Sequence, residues 1–248
     1  MFEATKTRAV RGEAFAETYF SGSVLDIGCG PDLVVPHAQP FDVEHGDANE
    51  ILNYLPAESF DCVHSSHCLE HMMDPPRALG QWWALVRPGG FLIIVVPDED
   101  LYEQGVWPSA FNPDHKATFR INRPISWSPV SYDIRALAAA LPNGAVIDCT
   151  VQDHSYDRRM MRDGPVRLKK LLLQVGGLRA DLFRMMMRHE LPVYRISQLL
   201  ARLEHALGKP VDQTQDDALA QIQVIVRKLP VQEHQSAGSD SAMSDGPL

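Results

Sequence analysis

The chain is predicted to fold as an α/β domain around a doubly wound, mostly parallel sheet. Short apolar runs rich in β-branched residues alternate with helical patterns between residues 23 and 100, and this alternation is typical of parallel sheets. The run FLIIVVP at 91–97 is apolar throughout, as expected of a strand covered on both faces. With 248 residues and 45% hydrophobic side chains, the chain can form one domain with a sizeable core.

Helical spacing of apolar residues predicts one helix over 3–20 and another over 74–90. Asp74 is suited to cap the second helix, and the pair Gly89-Gly90 is suited to end it. The segment 155–210 is predicted as a helical insertion or lid, and 231–248 as a disordered tail or linker after a domain of residues 1–230. The predicted strands are 23–27, a short one ending near Asp42, a stub ending at Asp47, 59–66, 91–100, 143–152 and 218–229.

Composition narrows the function classes. The chain carries 23 basic and 32 acidic residues, a net charge of −9, which argues against nucleic acid as a partner. Its four cysteines form no C-x-x-C pair, so we expect a reducing, cytoplasmic location and no cysteine metal site. The N-terminus has no apolar signal core, and no apolar run approaches the ~20 residues that span a bilayer.

The stretch DIGCG at 26–30 follows the first predicted strand. In doubly wound sheets, ligands bind at the carboxyl ends of the strands, and glycines there let a ligand approach the backbone. A pyrophosphate needs free amide groups at a helix N-terminus, and the carboxylates of Asp26 and Asp32 would repel it. The turn therefore favours a cationic ligand end, such as an α-amino group or a sulfonium.

The segment VLDIGCG at 24–30 resembles the first motif of class I S-adenosylmethionine-dependent methyltransferases. Residues 59–98, with their strand, LEH turn, helix, PGG and strand in order, resemble the central block of the type 11 members. The resemblance implies a seven-stranded Rossmann-like sheet with a helical insertion before the last strand. It also implies S-adenosylmethionine as cofactor and S-adenosylhomocysteine as product.

Ten positions correspond to the cofactor site of that family. Asp42 would bind the ribose hydroxyls, with Glu44 as the alternative, and the Asp47-Ala48 pair would meet the adenine edge. The remaining positions would line the methionine portion: Asp26, Gly28, Cys29, Gly30, Ser65, Ser66 and His67. Asp42 and Asp47 could instead be turn residues, and the two serines could cap the next helix.

A hydroxyl acceptor must lose a proton when it is methylated, so a general base is expected nearby. His115 follows the fifth strand of the resemblance and is the first candidate, His67 is the second, and Asp98 is a further catalytic candidate. The alternative for His115 is a loop histidine bonded to a backbone carbonyl, and His71 is expected to be a structural residue at a helix start. No metal centre is predicted, because Asp98, Asp100 and His115 form only a weak pattern.

The predicted insertion is basic, with nine Lys/Arg and two Asp between Arg158 and Arg188. Its charge has two interpretations. It forms either a solvated basic face, or a lid that attracts an anion; the anion would be an acidic acceptor or, through peripheral contact, an acidic membrane surface. The segment 95–116 more loosely resembles methyltransferases of bacterial surface-polysaccharide (O-antigen) biosynthesis, which implies a sugar hydroxyl, for example on an acidic sugar such as Kdo. Competing interpretations are an N-methyltransferase of an amine, a nicotinamide-dependent oxidoreductase, and a non-catalytic cofactor-binding domain of a longer protein.

Overall fold

The computed structural model describes residues 3–161, 163–187 and 194–230. The tail predicted over 231–248 lies outside the described residues. Six helices and eight strands are present in this part of the chain. The helices are α1 Glu3–Arg11, α2 Glu13–Tyr19, α3 Pro75–Ala84, α4 Ile134–Ala139, α5 Val166–Met187 and α6 Tyr194–Ala206. The strands are β1 Val24–Ile27, β2 Gln39–Phe41, β3 Phe60–Ser66, β4 Val86–Pro97, β5 Thr118–Arg120, β6 Ser131–Asp133, β7 Gly144–Gln152 and β8 Gln221–Lys228.

The main sheet has the order β2-β1-β3-β4-β8-β7, and β5 and β6 form a separate parallel pair. Strand β8 is antiparallel to both of its neighbours, while β2, β1, β3 and β4 are parallel. The prediction of a mostly parallel α/β sheet is confirmed, with apolar clusters on its two faces.

The expectation of seven strands is wrong for the described residues, whose main sheet has six. After β2 the chain turns back at once, since the amides of His45 and Gly46 both donate to the Asp42 carbonyl, at 2.7 and 3.3 Å. Residues 48–53 then form a 3₁₀ turn. The predicted stub ending at Asp47 is therefore a turn that leads into the cap of this 3₁₀ segment.

Helix α3 begins as predicted, because the Asp74 side chain accepts a hydrogen bond from the Arg77 amide. It ends at Ala84, not at the Gly89-Gly90 pair. Val86 already pairs with Phe60, and the register shifts before the next pairs. The glycine pair lies inside an irregular start of β4, where a Cβ on Gly90 would stand 2.6 Å from the Asp61 carbonyl oxygen.

The N-terminal segment forms two helices where one was expected. The chain breaks at Gly12, which has φ +75°, a backbone conformation that favours glycine. Helix α1 contacts the loop after β1 and the start of β8. Thr5 donates to the Asp32 carboxylate, and the Thr7 hydroxyl accepts from the side-chain amide of Gln221. This packing brings the start of the chain over the glycine turn.

Helices α5 and α6 lie within the segment predicted as an insertion. Arg179 of α5 bonds the buried carboxylate of Glu204 in α6 at 2.8 Å. Lys169 and Lys170 donate to backbone carbonyls of the 104–107 loop. Part of the basic charge thus anchors the insertion. Within the described ranges, no helix is long and apolar enough to cross a membrane.

Candidate active site

The candidate site lies where the strand order reverses beside β1. The ends of three strands meet there, since Ile27 is in register with Phe41 on one side and with Ser65 on the other. The loops that follow these strands enclose three cavities of about 680, 190 and 180 Å³. The largest has the size and the partly apolar lining of a small-molecule site.

The largest cavity has a carboxylate on its wall at the end of β2. Asp42 lines this cavity, and its two oxygens accept from the amides of Gly30 at 2.6 Å and Val43 at 2.7 Å. The Glu44 side chain is 68% exposed and faces His45 at 3.9 Å, and it is not among the lining residues. Of the two alternatives for a ribose contact, the structure brings only Asp42 to the cavity.

The adenine-side positions are held by local hydrogen bonds. Asp47 and Ala48 line the largest cavity together with the ring of Tyr54. The Asp47 carboxylate accepts from the amide and the side chain of Asn49 at 2.9 and 2.8 Å, and these bonds hold its pKa below the ordinary value. Trp82 donates from Nε1 to the Ala48 carbonyl at 2.9 Å, so the core of α3 fixes this turn.

The 190 Å³ cavity adjoins the glycine turn. Of the positions expected at the methionine end, those lining it are Asp26, Gly28, Cys29, Gly30, Ser66 and His67. Ser65 is buried within β3 and is not among the lining residues. Glu3 and Ala4 of α1 close the other side. Sequence reasoning missed this contribution, because nothing in the helical pattern of α1 indicates where it packs.

Two hydrogen bonds from the protein fix the orientation of the Asp26 carboxylate. It accepts from the Val34 amide at 2.7 Å and from Nδ1 of the buried His64 at 2.7 Å. Burial lowers the pKa of His64 against the opposing effect of Asp26. A neutral ring donates to Asp26 through Nδ1 and accepts from Arg11 at Nε2, 3.3 Å away. This relay fixes the carboxylate in the wall of the cavity.

His67 lines all three cavities. It has φ +53°, a conformation uncommon outside glycine. Its Nε2 lies 2.9 Å from Oε1 of Gln221, and its Nδ1 lies 3.5 Å from Oε1 of Glu70. Burial alone would lower the pKa of His67, but the neighbouring carboxylate of Glu70 raises it to about 9. The ring is therefore an imidazolium at neutral pH and a poor base.

The 180 Å³ cavity contains His115, the first candidate for the base. The His115 ring is buried, and its Nδ1 lies 2.7 Å from Oε1 of the equally buried Glu103. A carboxylate only accepts hydrogen bonds, so this contact places the proton on Nδ1 and leaves Nε2 as the ring's acceptor. The sequence-based alternative of a bond to a backbone carbonyl is replaced by this carboxylate contact.

His71 also lines the 180 Å³ cavity, and it ends the turn Leu69–His71, where a helix start was expected. Its Nδ1 lies 3.0 Å from Oδ2 of Asp114, and its ring meets that of His115 edge to face, with centroids 5.0 Å apart. The preceding residue, Glu70, is buried, and neither of its carboxylate oxygens has a hydrogen-bond partner. Sequence reasoning passed over Glu70, and the adjacent acidic and imidazole groups of the LEH turn were the available signal.

Asp98 caps the single turn that follows β4. Its Oδ1 accepts from the amides of Asp100 and Leu101, both at 3.0 Å, and burial raises its pKa to about 6. It is not among the residues lining the three cavities. The trio of Asp98, Asp100 and His115 is likewise not brought together as a metal-ligand set, whereas Glu70, His71 and His115 are, among the described residues.

A doubly wound sheet with cavities at its switch point defines the class of Rossmann-like α/β domains, which bind ligands at this end of the sheet. A family model described as a methyltransferase domain matches residues 6–205. The chain therefore belongs to this family of methyltransferase domains.

Individual relatives are distant. The chain is 27% identical over 158 residues to an uncharacterised methyltransferase of Mycobacterium bovis, covering 50% of this chain and 79% of that protein. It is 33% identical over 88 residues to an uncharacterised 37.1 kDa transposon protein of Streptomyces fradiae, covering 32% of this chain but only 24% of that protein. A solved S-adenosylmethionine-dependent methyltransferase of Archaeoglobus fulgidus is 17% identical, with TM-score 0.45 and coverage of 92% and 95% of the two chains.

Proposed function

We propose that the protein transfers the methyl group of S-adenosylmethionine to a hydroxyl of a glycan or another small polar acceptor. The observation that carries this proposal is the position of His67, which is shared by all three cavities. Adenosine would occupy the largest cavity and the methionine portion the 190 Å³ cavity. The two cavities share Gly28 and His67, so the sulfonium lies there, beside the entrance to the third.

The 180 Å³ cavity then receives the acceptor. Its volume is about that of six water molecules, enough for the reacting end of a larger molecule. Alignment of the acceptor oxygen with methyl and sulfur supplies most of the rate enhancement in such a displacement. His115, held in one tautomer by Glu103 at 2.7 Å, is the residue that activates the hydroxyl, since its Nε2 is the ring nitrogen left to accept the proton.

A further cavity of about 280 Å³ supports an extended, polar acceptor. Trp127 lines it together with two cations, Arg158 and Lys169, and two carboxylates, Asp100 and Asp163, so the cavity offers an aromatic face and charged groups of both signs to a sugar. This chemistry is compatible with an acidic sugar such as Kdo in a surface polysaccharide. The four cysteines are free, as expected for a reaction in the reducing cytoplasm.

An N-methyltransferase is the second candidate. Glu3 and Glu70 line the 180 Å³ cavity, and two carboxylates would attract a cationic amine. An amine needs less help in losing its proton than a hydroxyl does. The substitution His115→Ala would then leave turnover nearly intact, whereas it would abolish O-methylation.

The test is incubation of the protein with methyl-labelled S-adenosylmethionine and fractionated cell glycans or small amines, followed by mass spectrometry. The proposal requires label on a glycan oxygen, and its loss in His115→Ala while S-adenosylhomocysteine still binds. His154→Ala is the matched control, because His154 is an exposed histidine that lines none of the three cavities. Label on nitrogen alone, or label retained in His115→Ala, would contradict the proposed reaction.

A further inference from the structure

The residues around the acceptor cavity form a cluster of three side chains, of which only His71 also lines the cavity assigned to adenosine. Glu70, His71 and His115 each offer one ligand atom, and these three atoms lie within 4.8 Å of one another. Two imidazole nitrogens and one carboxylate oxygen are a donor set common to zinc and to other divalent first-row metal ions. We propose that Glu70, His71 and His115 bind one such ion, of the zinc class.

Glu70 supplies an independent observation. Its side chain is only 1% exposed, yet both carboxylate oxygens have no hydrogen-bond partner. Oε1 of Glu70 faces the His67 ring, whose Nδ1 lies 3.5 Å away, and this contact offsets part of the charge without forming a hydrogen bond. A buried carboxylate without hydrogen bonds is costly, and a cation bound at its other oxygen would lower that cost.

Each histidine of the cluster has a carboxylate on the other side of its ring. Glu103 lies 2.7 Å from Nδ1 of His115, and Asp114 lies 3.0 Å from Nδ1 of His71. Metal-bound histidines usually donate their second ring nitrogen to such a carboxylate, which fixes the tautomer and the ring orientation. In both residues this leaves Nε2 as the nitrogen available to a metal.

The charge of the cluster also favours a cation, because its three carboxylates outnumber the two cations that contact them, His67 at Glu70 and Lys116 at Asp114. Three carboxylates, those of Glu70, Glu103 and Asp114, surround the two imidazoles. The Lys116 ammonium lies 2.6 Å from Asp114 on its exposed side. Ligand atoms around a tetrahedral ion stand about 3.4 Å apart, so the three groups, now within 4.8 Å of one another, would need to close by up to about 1.4 Å on binding.

Three protein ligands leave a position of the ion open, the arrangement that distinguishes catalytic from structural zinc sites. All three ligands line the 180 Å³ cavity, so the open position faces the acceptor. This consequence rests on the proposed function. A hydroxyl bound there would lose its proton to solvent more readily, and His115 would then act as a ligand and not as a free base.

The test uses the full chain, freed of metal by a chelator and then desalted. Titration with CoCl₂, followed by visible absorption, should show one saturable equivalent per chain with d–d bands, and ZnCl₂ should displace it. His71→Ala, His115→Ala and the isosteric Glu70→Gln should each weaken binding tenfold or more. Asp114→Asn should weaken it less, and the exposed control His154→Ala should leave it unchanged.

S-adenosylhomocysteine binding, measured by calorimetry on the same samples, reports whether each variant is folded. A variant that still binds this product but no longer binds Co²⁺ supports the metal site. The proposal is overturned if the wild-type chain shows no saturable equivalent of Co²⁺ or Zn²⁺, or if Glu70→Gln binds both as the wild type does. Methyl transfer that persists fully after chelation would leave the proposed function intact and return His115 to the role of a free base.

Discussion

The two glycines of the DIGCG turn provide a matched pair for testing how the turn works. Gly28 has φ +70° and Gly30 has φ +53°, so an alanine at either position would strain the backbone by about 1–2 kcal/mol. A Cβ on Gly28 would also stand 2.6 Å from Cβ and Sγ of the buried Cys68, whereas a Cβ on Gly30 would meet nothing within 4 Å. Overpacking adds about 1–3 kcal/mol in such a place.

We therefore expect Gly28→Ala to lower the free energy of unfolding by about 2–5 kcal/mol, and Gly30→Ala by about 1–2 kcal/mol. Urea denaturation followed by circular dichroism measures both. The new methyl group of Gly30→Ala would enter the 190 Å³ cavity that Gly30 lines, so this variant should bind S-adenosylhomocysteine at least tenfold more weakly despite its smaller stability loss. Equal stability losses, or unchanged binding by Gly30→Ala, would refute the reasoning.

Three further expectations follow from particular contacts. Trp82→Phe leaves the Ala48 carbonyl without its hydrogen bond, and Trp83→Phe does the same to the Pro142 carbonyl, which lies outside the site. Each substitution should lower the free energy of unfolding, measured by urea denaturation, by about 1–3 kcal/mol. Calorimetry should show weaker S-adenosylhomocysteine binding only for Trp82→Phe. Burial raises the pKa of Asp98 from 3.8 to about 6, so the folded state binds this proton more tightly than the unfolded chain does. The carboxyl group therefore contributes most to stability below pH 3.8, and this contribution is lost as the pH rises through 6. Asp98→Asn should therefore gain up to about 3 kcal/mol over the wild type between pH 4 and pH 7, and a difference that is constant with pH would contradict the assignment. Glu103→Gln should lower the rate of methyl transfer while leaving S-adenosylhomocysteine affinity unchanged, and a parallel loss of both would show that Glu103 acts through the fold instead.

Most strands could be predicted from the sequence because their patterns are local. The apolar run 91–97 and the glycine turn after Ile27 each fix an element without reference to the rest of the chain. The errors arose where tertiary contacts decide. Helix α3 ends at Ala84 because Val86 is already paired with Phe60. The spacing of apolar residues along the helix cannot predict such a pair between residues far apart in the sequence.

The candidate site divides in the same way. Gly28 and Asp42 follow directly from strand ends and, like Asp47, were predicted from motif order. Glu70 and Glu103 could not be assigned, because their importance lies in burial beside His67 and His115, and burial is decided by the fold. The sequence supplies the residue types at such a cluster, but only the fold brings the side chains together.

Binding of S-adenosylhomocysteine at the switch point is the central claim, and one calorimetric comparison tests it most directly. The product is titrated into the wild type, Asp42→Ala and Glu44→Ala, with NADH titrated into the wild type in parallel. We expect one S-adenosylhomocysteine per wild-type chain, at least tenfold weaker binding in Asp42→Ala, which lines the cavity, and no change in Glu44→Ala, whose side chain is 68% exposed. Tight binding of NADH alone, or a loss caused by Glu44→Ala and not by Asp42→Ala, would contradict the claim.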